Sequence, residues 1–406
     1  MLNNTQARLL SAILSQATAG KRNHAVVEGA IFISAKTMQN VFGVAYKDEV
    51  DKYFEVVDES YCHGGGVGSK NYTKAYKCKK AIFEALGNHT WVASKKPKNG
   101  IEGVDWYKET GNIDAFVKLV KDIEAGTAKW EKMEDQYSVM AYIGCWNWED
   151  NCQYVTYEKN GPLLNGEASG RKYAMGPSMQ GMSKRLRKMF DTSEHCEIDE
   201  VNSHVAFLAA YGASKDMSCR HIDNYVANTK TFRDCMSEWY GFSNDIAKTL
   251  IISVTYHAAL NYTHEYSNTY TEIIDKNINR EAPCWANGDY APTDFKPLQL
   301  FRSEMKLIGK AMLSESWASY LGHVKNKPRA IALLQQQMES ERQDWYLEVF
   351  RQEGIVVETL QHDGIRIKGI IEQSILEKAE NFVKNKIWEK YGIDFRTYKL
   401  AVKKMN

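Results

Sequence analysis

The sequence has almost no net charge: 52 Lys and Arg against 51 Asp and Glu leave +1 over 406 residues. That balance excludes a polycation, so any contact with a polyanion must come from local basic patches. Its eight cysteines, Cys62, Cys78, Cys145, Cys152, Cys196, Cys219, Cys235 and Cys284, are scattered and form no C-x-x-C pair. Such spacing argues against a zinc site or a disulfide framework and fits reduced thiols in a cytosol-like compartment. No apolar run is long enough to span a bilayer, and the stretch from Met1 to Thr5 lacks the basic and apolar regions of a secretory leader. The expectation is a soluble, non-secreted protein with no membrane partner. Internal repeats and low-complexity linkers are also missing. The glycine-rich stretch from Cys62 to Lys70 is no phosphate loop, because Gly68-Ser69-Lys70 reverses the Gly-Lys-Ser/Thr order that such a loop needs. It reads as a flexible loop.

What is there is 44% hydrophobic and 25% charged, enough for a large core in two or three lobes. A short helix is expected over Ala7 to Thr18 and a strand over Ala25 to Ser34. Lys70, Lys74, Lys77, Lys79 and Lys80 are expected on a short helical stretch, as a solvated face or a backbone-gripping patch. Helical spacing over Ile113 to Met133 and Tyr137 to Trp146 predicts a helical hairpin, with a strand at Gln153 to Tyr157 after it. Arg329 to Gln352 predicts a long helix whose buried stripe is Leu333, Leu334, Met338, Trp345, Leu347 and Phe350.

The stretch from Ile355 to Gly369 reads as a β-hairpin. Strand formers precede His362-Asp363-Gly364, and Ile365 and Ile367 alternate with Arg366 and Lys368 after it. Gly364 is expected to take positive φ, and the turn to hold Asp363 where a carboxylate can ligate a divalent metal. A second acidic strand runs from His195 to Asp199, with Cys196, Ile198 and Val201 toward a core and Asn202 or Ser203 capping the next helix. A largely helical insertion separates the two aspartates. Within it Lys248, Ile252 and Tyr256 share one helix face, being four residues apart. Two metal ions on two carboxylates can activate a hydroxyl and stabilise a leaving pyrophosphate, and a lysine can neutralise a triphosphate.

In order and spacing these motifs resemble the polymerase module of family A DNA polymerases and phage-type single-subunit RNA polymerases. Gly170-Arg171 with Gln180 resembles the stretch that touches primer–template. Asp199 resembles the first metal aspartate, Lys248 and Tyr256 the fingers helix, and His362-Asp363 the motif of the second metal aspartate. The resemblance covers about residues 155 to 406. It implies an α+β right-hand fold with a small antiparallel palm sheet, helical fingers and a helical, thumb-like amino-terminal region. The implied division is 1–155 amino-terminal region, 156–208 palm with Asp199, 209–327 fingers, and 328–406 palm with Asp363. It also implies Mg²⁺ (Mn²⁺ as a substitute) on Asp199 and Asp363, nucleoside triphosphates at Lys248, Ile252, Tyr256 and His204, and primer–template at Arg171, Gln180 and His362. His362 can also orient a carboxylate, so it joins Lys248 and the two aspartates in the catalytic set. Replication partners such as a helicase, and a cytoplasmic or host-replication-site location, would follow.

The departures are informative. His204 stands where the DNA polymerases carry a sugar-discriminating glutamate, Asn244 where an arginine is usual, His257 where a glycine is usual, and Gly364 where glutamate or serine is common. Asp-x-x-Asn-x-His and His-Asp-Gly-Ile resemble the minimal transposon–virus polymerases, for which combined primase and DNA polymerase activity is proposed. Two other classes stay open: a two-metal nuclease, which needs the carboxylates but no triphosphate lysine, and an inert nucleic-acid-binding replication subunit.

Overall fold

The computed structural model describes residues 30–34, 38, 42, 46–58, 73–79, 92–130, 133–159, 161–164, 166–241, 243–257, 295–361 and 363–404. The expectations at Ala7 to Thr18, at Cys62 to Lys70 and at His362 lie outside them. The protein is a mixed α and β structure with small antiparallel sheets.

The first sheet, in order β1-β3-β2, joins β1 (Ala30–Ser34), β2 (Phe54–Asp58, after helix α1, Tyr46–Tyr53) and β3 (Thr73–Cys78). The helical placement of the lysines is therefore corrected: Lys74 and Lys77 lie on β3, opposite Ile33 and Ala30. Thr73, Tyr76 and Cys78 favour extended backbone, and pairing with apolar β1 outweighs the charge spacing.

The second sheet uses β4 (Trp106–Glu109), β5 (Gln153–Lys159) and β8 (Lys172–Ala174); a two-residue pair, β6 (Leu163–Leu164) and β7 (Glu167–Ala168), intervenes. Between β4 and β5 come α2 (Ile113–Glu124) and α3 (Met133–Cys145), the expected hairpin. Asn112 caps α2 by accepting from the Ala115 N–H at 3.2 Å. Phe116, Tyr142 and Trp146 then pack with Phe190 of α4 (Lys184–Phe190) in a separate aromatic core.

The third sheet positions the site. β9 (His195–Glu200) leads into α5 (Ser203–Ser214), α6 (Arg220–Ala227), α7 (Thr229–Tyr240) and α8 (Asn244–Thr255). After the undescribed 258–294 come α9 (Lys296–Leu313) and α10 (Lys327–Gln352), which delivers the chain to β10 (Val356–Leu360) and β11 (Gly364–Lys368). Helix α11 (Gln373–Tyr391) and strand β12 (Leu400–Lys404) follow. The order is β10-β11-β9-β12, antiparallel throughout, with β9 and β11 central. Cys196, Ile198, Ile365 and Ile367 share one core with Met338, Tyr346, Ala379 and Val383 of α10 and α11. Each buried isoleucine contributes about 2 kcal/mol on an area basis. The opposite face carries Glu197 and Asp199.

Two expectations need correcting. Val201 is 42% exposed: β9 ends at Glu200, so the alternation stops there and Glu200 takes the inward position. Helix α10 is not a one-striped helix. Leu334, Met338, Leu347 and Phe350 are buried as expected, Leu333 and Trp345 only partly, and Gln335, Gln337, Glu339, Glu341, Arg342 and Gln343 are buried as well. No helix among the described residues is long and apolar enough to cross a membrane.

Candidate active site

Asp199 and Asp363 come together through strand pairing. Gly364 lies opposite Asp199 in the β11–β9 register, and the Glu200 N–H donates to the Asp363 carbonyl at 2.9 Å. The hairpin turn is closed by the Gln361 N–H donating to the Gly364 carbonyl at 2.9 Å. From α10 the buried Gln343 amide donates to the Gln361 and Gly364 carbonyls at 2.8 and 2.9 Å, fastening the turn to the core.

Gly364 has no positive φ, contrary to expectation. Its reason is space: a Cβ there would lie 2.1 Å from Asp199 Oδ1 and 2.6 Å from the Ile198 carbonyl. The Asp199 carboxylate thus rests on bare backbone beside the Asp363 turn. Burial raises the Asp199 pKa; Lys403, bonded to its Oδ2, opposes this, and the Asp363 charge adds to the rise. A third carboxylate, Glu197, lies two residues back on the same face. It accepts from Gln361 Nε2 at 2.9 Å and has Arg187 at 3.8 Å.

Behind the sheet, buried Glu200 is gripped by Arg342 of α10 through Nη2 at 2.7 Å and Nε at 3.0 Å. Ser203 donates to the same carboxylate at 2.6 Å, so the first turn of α5 joins the grip. This pair holds the Asp199 strand against α10.

A second cluster gathers three of the expected residues around one that was not expected. Arg171 Nε and Nη2 donate to the two Glu339 oxygens at 2.7 and 3.1 Å. His204 Nε2 lies 3.2 Å from Glu339 and 2.8 Å from the Tyr256 hydroxyl. Arg171 Nη2 reaches that hydroxyl at 3.4 Å. Burial works to raise the Glu339 pKa, but His204 and Arg171 outweigh it and hold the group at about 2. The Tyr256 pKa is raised, chiefly by burial and against Arg171, and the Asp363 charge contributes to the rise. The end of α8 therefore stands within electrostatic reach of the hairpin.

Along α8, Lys248 and Ile252 are exposed and Tyr256 half-buried, while Ala247, Leu250, Ile251 and Val254 turn inward. Lys248 and Ile252 thus form the uncovered part of this face, and Tyr256 at its end is tied into the Glu339 cluster. His257 follows at φ +60°. Gly309 of α9 makes room for its imidazole, since a Cβ there would fall 2.3 Å from Cε1. Gln180 is occupied internally: its oxygen accepts from the Ala174 N–H at 2.9 Å, and its amide donates to the Lys172 and Leu360 carbonyls, each at 3.0 Å.

Sequence reasoning missed Glu197, Glu339, Gln343, the Glu200–Arg342 pair and Lys403. One signal was available. Gln335, Glu339 and Arg342-Gln343 recur at helical spacing on α10, a polar stripe in a helix that also carries a full apolar one.

Among the described residues no three His, Cys, Asp or Glu side chains form a ready-made metal cage. Two carboxylates suit a different arrangement. Mg²⁺ is commonly held by one or two carboxylates with substrate phosphates and water completing its shell. The oxygen donors of Asp199 and Asp363 suit such an ion by their chemistry.

The site thus sets the Asp199 strand beside the Asp363 turn in an antiparallel sheet, and α8 carries an exposed lysine, Lys248. No family model and no curated protein matches the sequence. Among solved structures it is similar to the POL domain of Pol1 from M. smegmatis in complex with DNA primer-template and dNTP, at 11% identity and a TM-score of 0.40. The match covers 77% of this chain and 57% of that one, so the chain spans less than two thirds of that domain. A likeness this distant assigns no activity here.

Proposed function

We propose that the protein is a template-directed nucleic acid polymerase. The observation that carries this reading is the pairing of Gly364 with Asp199, which brings the turn bearing Asp363 beside the strand bearing Asp199. Divalent ions bound there would supply the Lewis acidity that lowers the pKa of a 3′-hydroxyl and neutralises a leaving pyrophosphate. The residues of the chain do the rest. Asp199 and Asp363 orient the ions. Lys248, on the open face of α8, meets the triphosphate, with Ile252 and Tyr256 extending that face toward the nascent base pair. His204, tied to Tyr256 and Glu339, lies where the sugar edge would be judged. Arg171 and Gln180 shape the primer side from within, since their polar groups are engaged by the protein, and His362 is assigned to the primer end beside Asp363.

In this reading the helices between residues 209 and 327 are fingers, the β9–β12 sheet belongs to the palm, and residues before about 155 grip the template in a right-hand arrangement. DNA synthesis, with priming, in the replication of a virus or mobile element is preferred, with a helicase among its partners. RNA synthesis is the second reading, because His204 replaces a sugar-excluding glutamate.

Incubation with Mg²⁺ and a template, with dNTPs or NTPs, with and without primer, tests all of this together. Extension lost in Asp199→Asn and Asp363→Asn and crippled in Lys248→Ala is the expected result. Strand cleavage that survives Lys248→Ala would instead mark a nuclease. A wild-type protein that neither extends nor cleaves would leave only nucleic-acid binding.

A further inference from the structure

Lys403 has no part in the motifs above, yet its ammonium bonds Asp199 Oδ2. The register explains how it gets there. On β12, Ala401 lies directly across from Asp199 and is too short to reach its carboxylate, while Lys403 lies across from Glu197. The Lys403 stem crosses diagonally to the neighbouring pair, a reach open to long side chains between adjacent strands. Among the described residues the other cations beside Glu197 are Arg187, at 3.8 Å, and Arg366, across from it in the β11–β9 register but already paired with Asp191 and Glu358. The lysine side chain is 58% exposed, so it can leave toward solvent without disturbing the core.

We propose that Lys403 is the resident cation of this carboxylate pair, and that a divalent ion must displace it from Asp199 to enter. This rests on the polymerase reading for what the ion does afterwards, but the exchange itself is a property of the empty protein. Both cations need the same oxygen, so the lysine weakens metal binding while keeping Asp199 ordered in its absence.

The test is Mn²⁺ binding to the full chain, followed by electron paramagnetic resonance of the free ion, without nucleotide or nucleic acid. Lys403→Met, which keeps the stem and drops the charge, is expected to bind Mn²⁺ about tenfold more tightly than wild type, as removal of a like charge from a half-exposed site demands. Lys403→Arg should stay near wild type, and Asp199→Asn combined with Lys403→Met should lose the gain. Unchanged or weaker binding in Lys403→Met overturns the exchange, as does tightening that survives Asp199→Asn. A melting curve on each variant separates misfolding from loss of the site. Primer extension judges the polymerase reading on its own: extension with unchanged Mn²⁺ affinity sinks only the exchange, and tightened affinity without extension sinks only the polymerase.

Discussion

Two single atoms' worth of space, at Gly364 and Gly309, decide much at the residue scale. A methyl group at Gly364 would meet the Asp199 carboxylate and the Ile198 carbonyl, and neither can retreat, because one is a site group and the other is sheet backbone. Gly364→Ala is expected to lower stability by about 1–3 kcal/mol. It should reduce turnover by about a hundredfold, since displacement of a reacting group by an ångström costs that much. Circular dichroism with single-turnover extension would check both. His257 and Gly309 make a matched pair: the histidine occupies left-handed backbone, which costs an L-residue about 1–2 kcal/mol, and lies in the notch the glycine leaves. Gly309→Ala alone should destabilise. Adding His257→Gly should restore most of the loss, and a double-mutant cycle in urea measures the coupling.

At the scale of elements, α10 is the part that sequence periodicity described least well. Its apolar residues follow the expected stripe, but its polar residues look, in sequence, like a solvated face. They are buried because each meets a partner brought from far away: Glu339 meets Arg171 and His204, Arg342 meets Glu200, and Gln343 meets the hairpin turn. The helical spacing of these polar residues is visible in the sequence, but nothing local says that the stripe is buried rather than solvated. The strand of Asp199 and the hairpin of Asp363 were legible because alternation and an Asp-Gly turn are local signals. Their side-by-side placement was inferred only from the family resemblance. Strand β12 gives no such signal, since Val402, Lys403 and Lys404 carry little strand signature on their own. If the grip of α10 on β9 is as described, Arg342→Met should cost about 3–5 kcal/mol, because it leaves the Glu200 charge buried without a counter-ion. Glu200→Gln with Arg342→Met should cost less than the sum of the two single changes. Guanidinium melts of the three variants would decide it, and strict additivity would count against the pairing.

Across the whole molecule, a buried polar seam joins the β4-β5-β8 sheet to the β9–β12 sheet. Glu109 at the end of β4 accepts from the Tyr142 hydroxyl at 2.9 Å, the Met179 N–H at 3.0 Å and the Thr359 hydroxyl at 3.1 Å. Beside it Arg366 donates to the Thr110 carbonyl at 2.8 Å and pairs with Asp191 and Glu358. Burial, only partly offset by these donors, pushes the Glu109 pKa up to about 7. A carboxyl that keeps its proton longer when folded loses stabilising effect as pH climbs from its unfolded value, near 4.5, to about 7. Glu339 runs the other way: held at about 2, it contributes stability above about 4.5 that fades as pH falls toward 2. Relative to Glu109→Gln, the wild type is expected to lose about 3 kcal/mol between pH 4.5 and 7, read as a shrinking difference in melting temperature. A difference that stays flat across that window would remove Glu109 as the titrating group.

Sheet order also bears on how the protein is made. Strand β9 takes one neighbour from residues 364–368 and the other from 400–404. On a ribosome, the segment bearing Asp199 must therefore wait for roughly two hundred further residues before both its edges are covered, a delay typical of slow, non-local assembly. During that interval an unpaired acidic strand is open to pairing with strangers. Chains stopped just before Leu400 should consequently accumulate as aggregates rather than as a trimmed but folded protein.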